Sequence, residues 1–459
     1  MLLSQALRLS PPFDTSRGRT IAFVGAGGKT TAIFQLAREL PPPVLVTTTS
    51  HLGAWQVPLA DHHIIAQKKG DVAGHGFHGV TMITGPIEND RATNVNEDIL
   101  YWLHTYVQEH NMTLLIEADG SRQKPLKAPN EREPVIPEFT EIVIVVAGLS
   151  GLGKSLNEDY AHRPQLFSTL SGLPLNDSIT SDALIRVLTH PNGGLKNIPP
   201  DARRIAFLNQ ADTPELQSLG GKMSTELLNH FDSIIMGNLQ HSHFQTFERT
   251  AGIILAAGAS TRFGQPKQLL DWRGEPFVRV VVQTALEAGL SPVLVVTGAN
   301  ADEVESKIKD LPVIIIRNEN WQSGQSSSIR AGIHALPHPT FGHPPQIQKD
   351  LGRAGEGSAI FLLSDQPQIT ADVMRALIEH HTTELYPIIA PLVMMEQRAN
   401  PVLFDRTTFP DLLKLEGNVG GRAIFSKYPV EYLPWHDDRL LLDVDKPEDY
   451  QRLIEDDTL

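Results

Sequence analysis

Short apolar runs that stop in glycine, serine, threonine or aspartate alternate with helical segments along most of the chain. This alternation restricts the fold more than any other feature. "TIAFVG", "PVLVTTT", "TLLIEADG", "EIVIVVAG" and "RRIAFLNQAD" lie in the first half, and "AGIILAAG", "PVLVVTG", "PVIIIRN", "AIFLLSDQP" and "YPIIAPLV" in the second. Such runs suit parallel strands covered on both faces. Helical patterns at Thr31–Glu39, Val278–Ala288 and Ala371–His381 fall between them. Strand–helix repetition of this kind builds an α/β fold. A chain of 459 residues is too long for one core, so two domains are expected. They are residues 1–245 and 250–459, joined where apolar periodicity lapses ("NLQHSHFQTFERT", 238–250). A Gly- and Pro-rich stretch over 338–357 reads as a mobile surface insertion between a helix and the next strand.

Charge and composition narrow the function. The net charge of −14 argues against broad binding to nucleic acid or a membrane surface. The absence of cysteine excludes disulfides, thiolate metal sites and a cysteine nucleophile. No apolar run approaches a membrane span. The start, "MLLSQALRLSPPF", lacks a basic leader and a small-residue cleavage site, so it reads as a short helix of a cytoplasmic protein.

In the second half, "GIILAAGASTRFGQPKQLL" delivers a loop from a buried strand at Ile253–Leu255. Leu255, Ala256, Ala257 and Gly258 end that strand, where open α/β sheets bind ligands. Small side chains there leave backbone N–H groups accessible to phosphate oxygens. Arg262 and Lys267 bring positive charge suited to a triphosphate. Taken alone, the loop reads first as a Gly-rich turn with two solvated cations.

Further stretches favour the phosphate reading. Gly298 ends another strand, "PVLVVTG". In "WQSGQSSSIRAG", Gly324, Ser326 and Ser327 precede a helix and offer hydroxyls and N–H groups to a base or ribose. A serine N-cap is the plainer alternative. "FLLSDQP" ends a buried strand in Asp365, where a carboxylate can hold magnesium beside phosphates, or cap a turn. "RANPVLF" and "GNVGGR" follow. In "LLLDVDKPEDY", Asp443 and Asp445 lie two apart on one face of an expected strand. One of them completes a metal site with Asp365, and the other is structural.

Together these segments resemble the molybdenum cofactor cytidylyltransferases of the MobA-like nucleotidyltransferase family, over roughly residues 250–456. Leu255–Gly258, Ser260, Arg262, Gly264, Pro266, Lys267, Gly324, Ser326–Ser328, Asp365, Pro367 and Asp445 match the family pattern. Asn418 and Gly421 replace its Asp and Ala, and Gln325 its Met, in loops that face the acceptor or base. The resemblance implies a Rossmann-like (GT-A type) domain. It implies transfer of CMP from CTP to a molybdopterin-type cofactor, with Mg2+ on Asp365 and Asp445 and with Arg262 and Lys267 stabilising the leaving pyrophosphate. The alternatives are a MobA-like transferase using GTP or another phosphorylated acceptor, and a non-catalytic nucleotide-dependent cofactor chaperone.

The first half has its own phosphate loop. "IAFVGAGGKTTAIFQLAREL" reads as strand, Gly loop, helix, with Gly25, Gly27, Gly28, Lys29 and Thr30 forming a shortened Walker A variant. Glu117 and Asp119 end a buried strand as a Walker-B-like magnesium site. Asn209 and Asp212 in "FLNQAD" have the spacing of the base-reading Asn-Lys-x-Asp segment of GTPases. Gln210 stands in place of the Lys, so the sequence alone does not support guanine selectivity. "AHRPQLF" presents His162 and Arg163.

These segments resemble the YqeC-type selenium cofactor biosynthesis accessory family over roughly residues 5–240. The matching residues are Gly25, Gly27–Thr31, Thr47–Thr49, Glu117–Gly120, Pro125–Ala128 and His162–Pro164, with Gln165 in place of Glu. The resemblance implies a P-loop-like parallel-sheet domain that binds ATP or GTP as an accessory function. The whole is then a two-domain maturation protein. Its partners are a nucleotide, a pterin cofactor and a molybdenum hydroxylase apoenzyme.

Overall fold

The structure, a computed structural model, describes residues 1–10, 18–260, 263–336 and 356–456. Arg262 and nearly all of the 338–357 stretch lie outside the described residues. The chain divides into two compact units, Met1–Phe247 and Glu248–Leu459. No helix among the described residues is long and apolar enough to cross a membrane.

The first unit is built on nine strands: β1 (Arg19–Gly25), β2 (Val44–Thr48), β3 (His62–Ile65), β4 (Val80–Thr84), β5 (Thr113–Glu117), β6 (Ile142–Gly148), β7 (Arg203–Asn209), β8 (Ser233–Asn238) and β9 (His243–Phe247). They form one sheet in the order β9-β8-β7-β6-β1-β5-β2-β4-β3. Every pairing is parallel except that of β8 with β9. Apolar clusters cover both faces, one holding Ile99, Leu103 and Phe167 and the other Ile33, Leu36 and Phe244. That is why the central strands are continuous apolar runs. Helix α1 (Lys29–Glu39) follows β1 directly, and the expected N-terminal helix spans Leu3–Ala6.

The region around 238–250 is more ordered than its composition suggests. β9 lies inside it as an antiparallel edge strand with Phe244 and Thr246 buried.

In the second unit, β10 (Thr250–Ala256) lies between β11 (Val293–Thr297) and β13 (Ser358–Leu363), and β12 (Ile314–Arg317) edges the parallel part. β14 (Ile388–Val393), β15 (Gln397–Arg398), β16 (Val402–Asp405) and β17 (Val430–Trp435) extend it as a mixed sheet in the order β12-β11-β10-β13-β16-β14-β15, with β17 beside β14. From β10 the chain moves outward to β11 and β12, then returns to β13 on the other side. Strand order reverses there, and such a point opens a crevice at the carboxyl ends of the strands. Helix α2 (Phe277–Glu287) follows β10, α3 (Gln325–His334) follows β12, and α4 (Ala371–Glu384) follows β13.

The segment read as a strand around Asp443 and Asp445 is not one. Asp438–Leu441 forms a 3-10 turn and irregular chain follows it. Three consecutive leucines look extended in sequence, yet only Leu440 is deeply buried.

Candidate active site

The β10–β13 register pairs Leu255 with Leu363, bringing the two strand ends side by side. The loop after β10 is tied down by Gln268. Its buried amide donates to the carbonyls of Gly258 at 2.7 Å and Ala256 at 3.3 Å. Ser260, at φ +51°, accepts from the Lys267 backbone at 3.1 Å. No sequence motif flagged Gln268, because a single glutamine carries no spacing signature. A Cβ on Gly298 would lie 2.8 Å from Ala257, so glycine there permits the two loops to meet.

Lys267 is the centre of the site. Its Nζ donates to Asp365 at 2.7 Å and to Asp445 at 2.9 Å. Burial works against its charge, but the two carboxylates outweigh it and hold the ammonium above the ordinary lysine range. Asp443 instead accepts from Gln366, and Gln366 also accepts from Asn400 at 3.3 Å. Burial raises the Asp443 carboxyl, and the charges of Asp365 and Asp445 add to the effect. The structure therefore brings Lys267, Asp365 and Asp445 together, with Asp443 near them and bonded to Gln366.

The serines after Gly324 serve the protein itself. Gly324 caps α3 with φ +105°, and neither serine makes a side-chain cap. Ser326 donates to the Gly417 carbonyl at 2.7 Å and Ser327 to the Gly324 carbonyl at 2.8 Å, and both are buried. Asn318 donates to Ser327 and Ser328. A Cβ at Gly324 would meet the Gly417 carbonyl at 2.4 Å. These residues pin the "GNVGGR" loop against α3. Capping by serine is corrected to capping by glycine, and the hydroxyls expected to face a ligand are engaged inside the fold.

In the first unit, Gly25, Gly27 and Gly28 all have positive φ. A Cβ at Gly25 would lie 2.2 Å from the Val146 carbonyl, and one at Gly27 would lie 2.4 Å from the Gly148 nitrogen. Only glycine meets both demands. The N–H groups of Gly25, Ala26 and Gly27 donate to Asp119, Val146 and Lys124. Lys29 is buried, donating to the Gly25 carbonyl at 2.6 Å and lying 3.1 Å from Asp119. Thr30 donates to Glu117 at 3.1 Å. Burial raises the Glu117 carboxyl against the pull of Lys29.

Asp119 also accepts from Lys127 at 2.7 Å, so two lysines engage it. Of the pair expected to hold magnesium, Glu117 with the Thr30 hydroxyl is the better placed for a cation. Lys127 reaches on to Glu133 at 2.7 Å, and Arg163 meets the same carboxylate at 2.9 Å. Burial opposes ionisation of Glu133, yet Arg163 and Lys127 pull it down to about 2. Burial, with Arg163, Lys127 and Arg122 close by, lowers His162 to about 4. Three sequence-distant segments therefore meet in one charged network beside the loop. Among the described residues, no group of three or more His, Asp or Glu side chains forms a ready metal cluster.

Known proteins share both halves. Residues 252–432 match the MobA-like NTP transferase domain, which makes the second unit a nucleotidyltransferase. Residues 21–165 match the YqeC protein family. Uncharacterized protein YqeC of Escherichia coli is 30% identical over 238 residues, covering 49% of this chain and 89% of its own length. Nicotine blue oxidoreductase of Paenarthrobacter nicotinovorans is 29% identical over 213 residues, covering 44% of this chain and 95% of its own length. A probable molybdenum cofactor guanylyltransferase of Bacillus cereus is 38% identical over 153 residues, covering 33% of this chain and 66% of its own length. The chain belongs to the YqeC family and carries a MobA-like NTP transferase domain after its YqeC portion.

Proposed function

We propose that the second unit moves CMP from CTP to the terminal phosphate of a molybdopterin-type cofactor, releasing pyrophosphate. We further propose that the first unit is a P-loop-like domain binding ATP or GTP, serving maturation of a molybdenum hydroxylase. The observation that carries the transfer reading is Lys267 held between Asp365 and Asp445 at the crevice beside Gly258.

The attacking group is a phosphate monoester, anionic at neutral pH, so the site needs no general base. One of its oxygens bonds to the α-phosphorus as the bond to the β-phosphate oxygen breaks. Catalysis then reduces to alignment and charge neutralisation. Lys267 stabilises charge on the departing pyrophosphate, and Arg262 shares that role. Asp365 and Asp445, carboxylates from separate segments that converge on the Lys267 ammonium, would hold a magnesium ion there. When bound, magnesium neutralises charge between the reacting phosphates.

GTP is the second reading for the donor, because the Bacillus cereus relative is named for guanylyl transfer. The test is pyrophosphate release from CTP and from GTP, each with molybdopterin-type cofactor and magnesium. CTP-dependent release is expected. Release from GTP alone reassigns the donor, and release from neither overturns the transfer reading.

A further inference from the structure

A cavity of about 190 Å3 opens at the carboxyl ends of β7 and β8 in the first unit, lined by Asp212, Gln217, Asn238, His241 and His243 among others. It is coupled to the glycine loop through two residues. Asn209 donates from Nδ2 to the Gly27 carbonyl at 2.6 Å, and its Oδ1 accepts from the Leu239 backbone at 3.3 Å. The Leu239 side chain lies 3.3 Å from where a Gly28 Cβ would stand. Leu239 follows Asn238, whose amide donates to Asp212 at the cavity wall. The loop that would hold phosphates and the cavity therefore share one hydrogen-bonded frame. Gln210, the residue that departs from the GTPase pattern, does not line the cavity: its Oε1 accepts from Ser150 at 2.6 Å. The departure leaves Asn209 and Asp212 in place.

We propose that this cavity is a base pocket for a guanine nucleotide, with Asp212 as the residue that selects the base. The inference rests on the reading of the first unit as a nucleotide-binding domain. Asp212 is exposed, and an ionised carboxylate only accepts hydrogen bonds. Asn238 engages Oδ1, and a carboxylate keeps further acceptor sites on both oxygens. Among the common bases, only guanine presents two adjacent donors, N1–H and the 2-amino group, on one edge. Adenine and cytosine place an acceptor beside their amino group, and uracil flanks its single N–H with acceptors. A carboxylate facing the base therefore favours guanine and leaves a lone pair facing a lone pair with the others.

The test titrates the full chain with ribose-labelled GDP, ADP and xanthosine diphosphate in magnesium, for wild type, Asp212→Asn and Lys29→Ala. Xanthine carries a carbonyl where guanine has its 2-amino group, and an asparagine amide matches it. GDP should bind wild type about 10- to 100-fold more tightly than ADP. Asp212→Asn should lose that preference and gain affinity for xanthosine diphosphate, a gain that mere misfolding cannot produce. Lys29→Ala should weaken binding of all three and so assigns the signal to the first unit. Lys29-dependent binding without guanine preference, or without the xanthine switch, overturns the base assignment and leaves nucleotide binding standing. Absence of any Lys29-dependent binding overturns both.

Discussion

Lys267 and Asp365 form an ion pair of 2.7 Å that joins the loop after β10 to the end of β13, 98 residues apart in sequence. Both side chains are partly exposed, so the pair contributes below about 1 kcal/mol to stability. Its value to the site is positional. Asp365→Asn should therefore lower nucleotidyl transfer at least about 100-fold, through loss of charge stabilisation at the reacting phosphates. The melting temperature should change little. Pyrophosphate release at saturating magnesium, set beside a thermal melt, checks this, and near-normal turnover would falsify the role given to Asp365.

Gln268 is a positioning residue for the same loop. Its amide holds two loop carbonyls, and loss of such a bond costs about 1 kcal/mol. Gln268→Ala should raise KM for the nucleotide with a smaller effect on kcat. Gln268→Glu should be worse, because an ionised carboxylate cannot donate to either carbonyl. The expected order of kcat/KM is wild type, then alanine, then glutamate. A glutamate variant as active as wild type contradicts the tie.

Glu356 supplies a pH test of the second unit. It is buried, and among the described residues neither carboxylate oxygen accepts a hydrogen bond. Burial pushes its pKa up to about 8, against its own backbone N–H and the charges of Arg249 and Arg406. A carboxyl raised on folding favours the folded state fully below its unfolded value. That contribution is lost as pH rises through the folded value. Stability should therefore fall between about pH 4.5 and 8, by an amount on the order of a few kcal/mol. Glu356→Gln stays neutral and should remove that slope. Urea unfolding of both proteins at pH 5 and pH 8 gives the comparison, and equal slopes would rule the effect out.

The sheets were legible because parallel central strands are buried on both faces and so appear as unbroken apolar runs, as in Ile142–Gly148. β9 was hidden by its edge position: one face is solvated, and Gln245 and Thr246 break the run although Phe244 is fully buried. The glycine-bearing loops were legible because positive φ and close approach restrict Gly25, Gly27 and Gly324 to glycine. The internal bonds of Ser326 and Ser327 were not legible, since a hydroxyl that binds a ligand and one that pins a neighbouring loop look alike in sequence. The joining of Lys127 to Glu133 and Arg163 was not readable, because it depends on which loops the sheet brings to one edge.

The two glycine loops lie in separate compact units, each with its own apolar clusters and sheet. Lys29 pairs with Asp119, whereas Lys267 pairs with Asp365 and Asp445. Neither lysine belongs to the other's network. Residues 248–459 alone should therefore fold and transfer the nucleotide at a rate within about threefold of the full chain, since each half has enough chain for a core. Lys29→Ala in the full chain should spare transfer while weakening nucleotide binding in the first unit, because it removes a point charge from the terminal phosphates. Asp119 keeps Lys127 as a partner in that variant, so its carboxylate is not left uncompensated. The decisive comparison is transfer by wild type, by Lys29→Ala and by the isolated second half, with a thermal melt of each. If the Lys29 variant stays folded but loses transfer, the two loops act as one composite site and the division of labour is wrong.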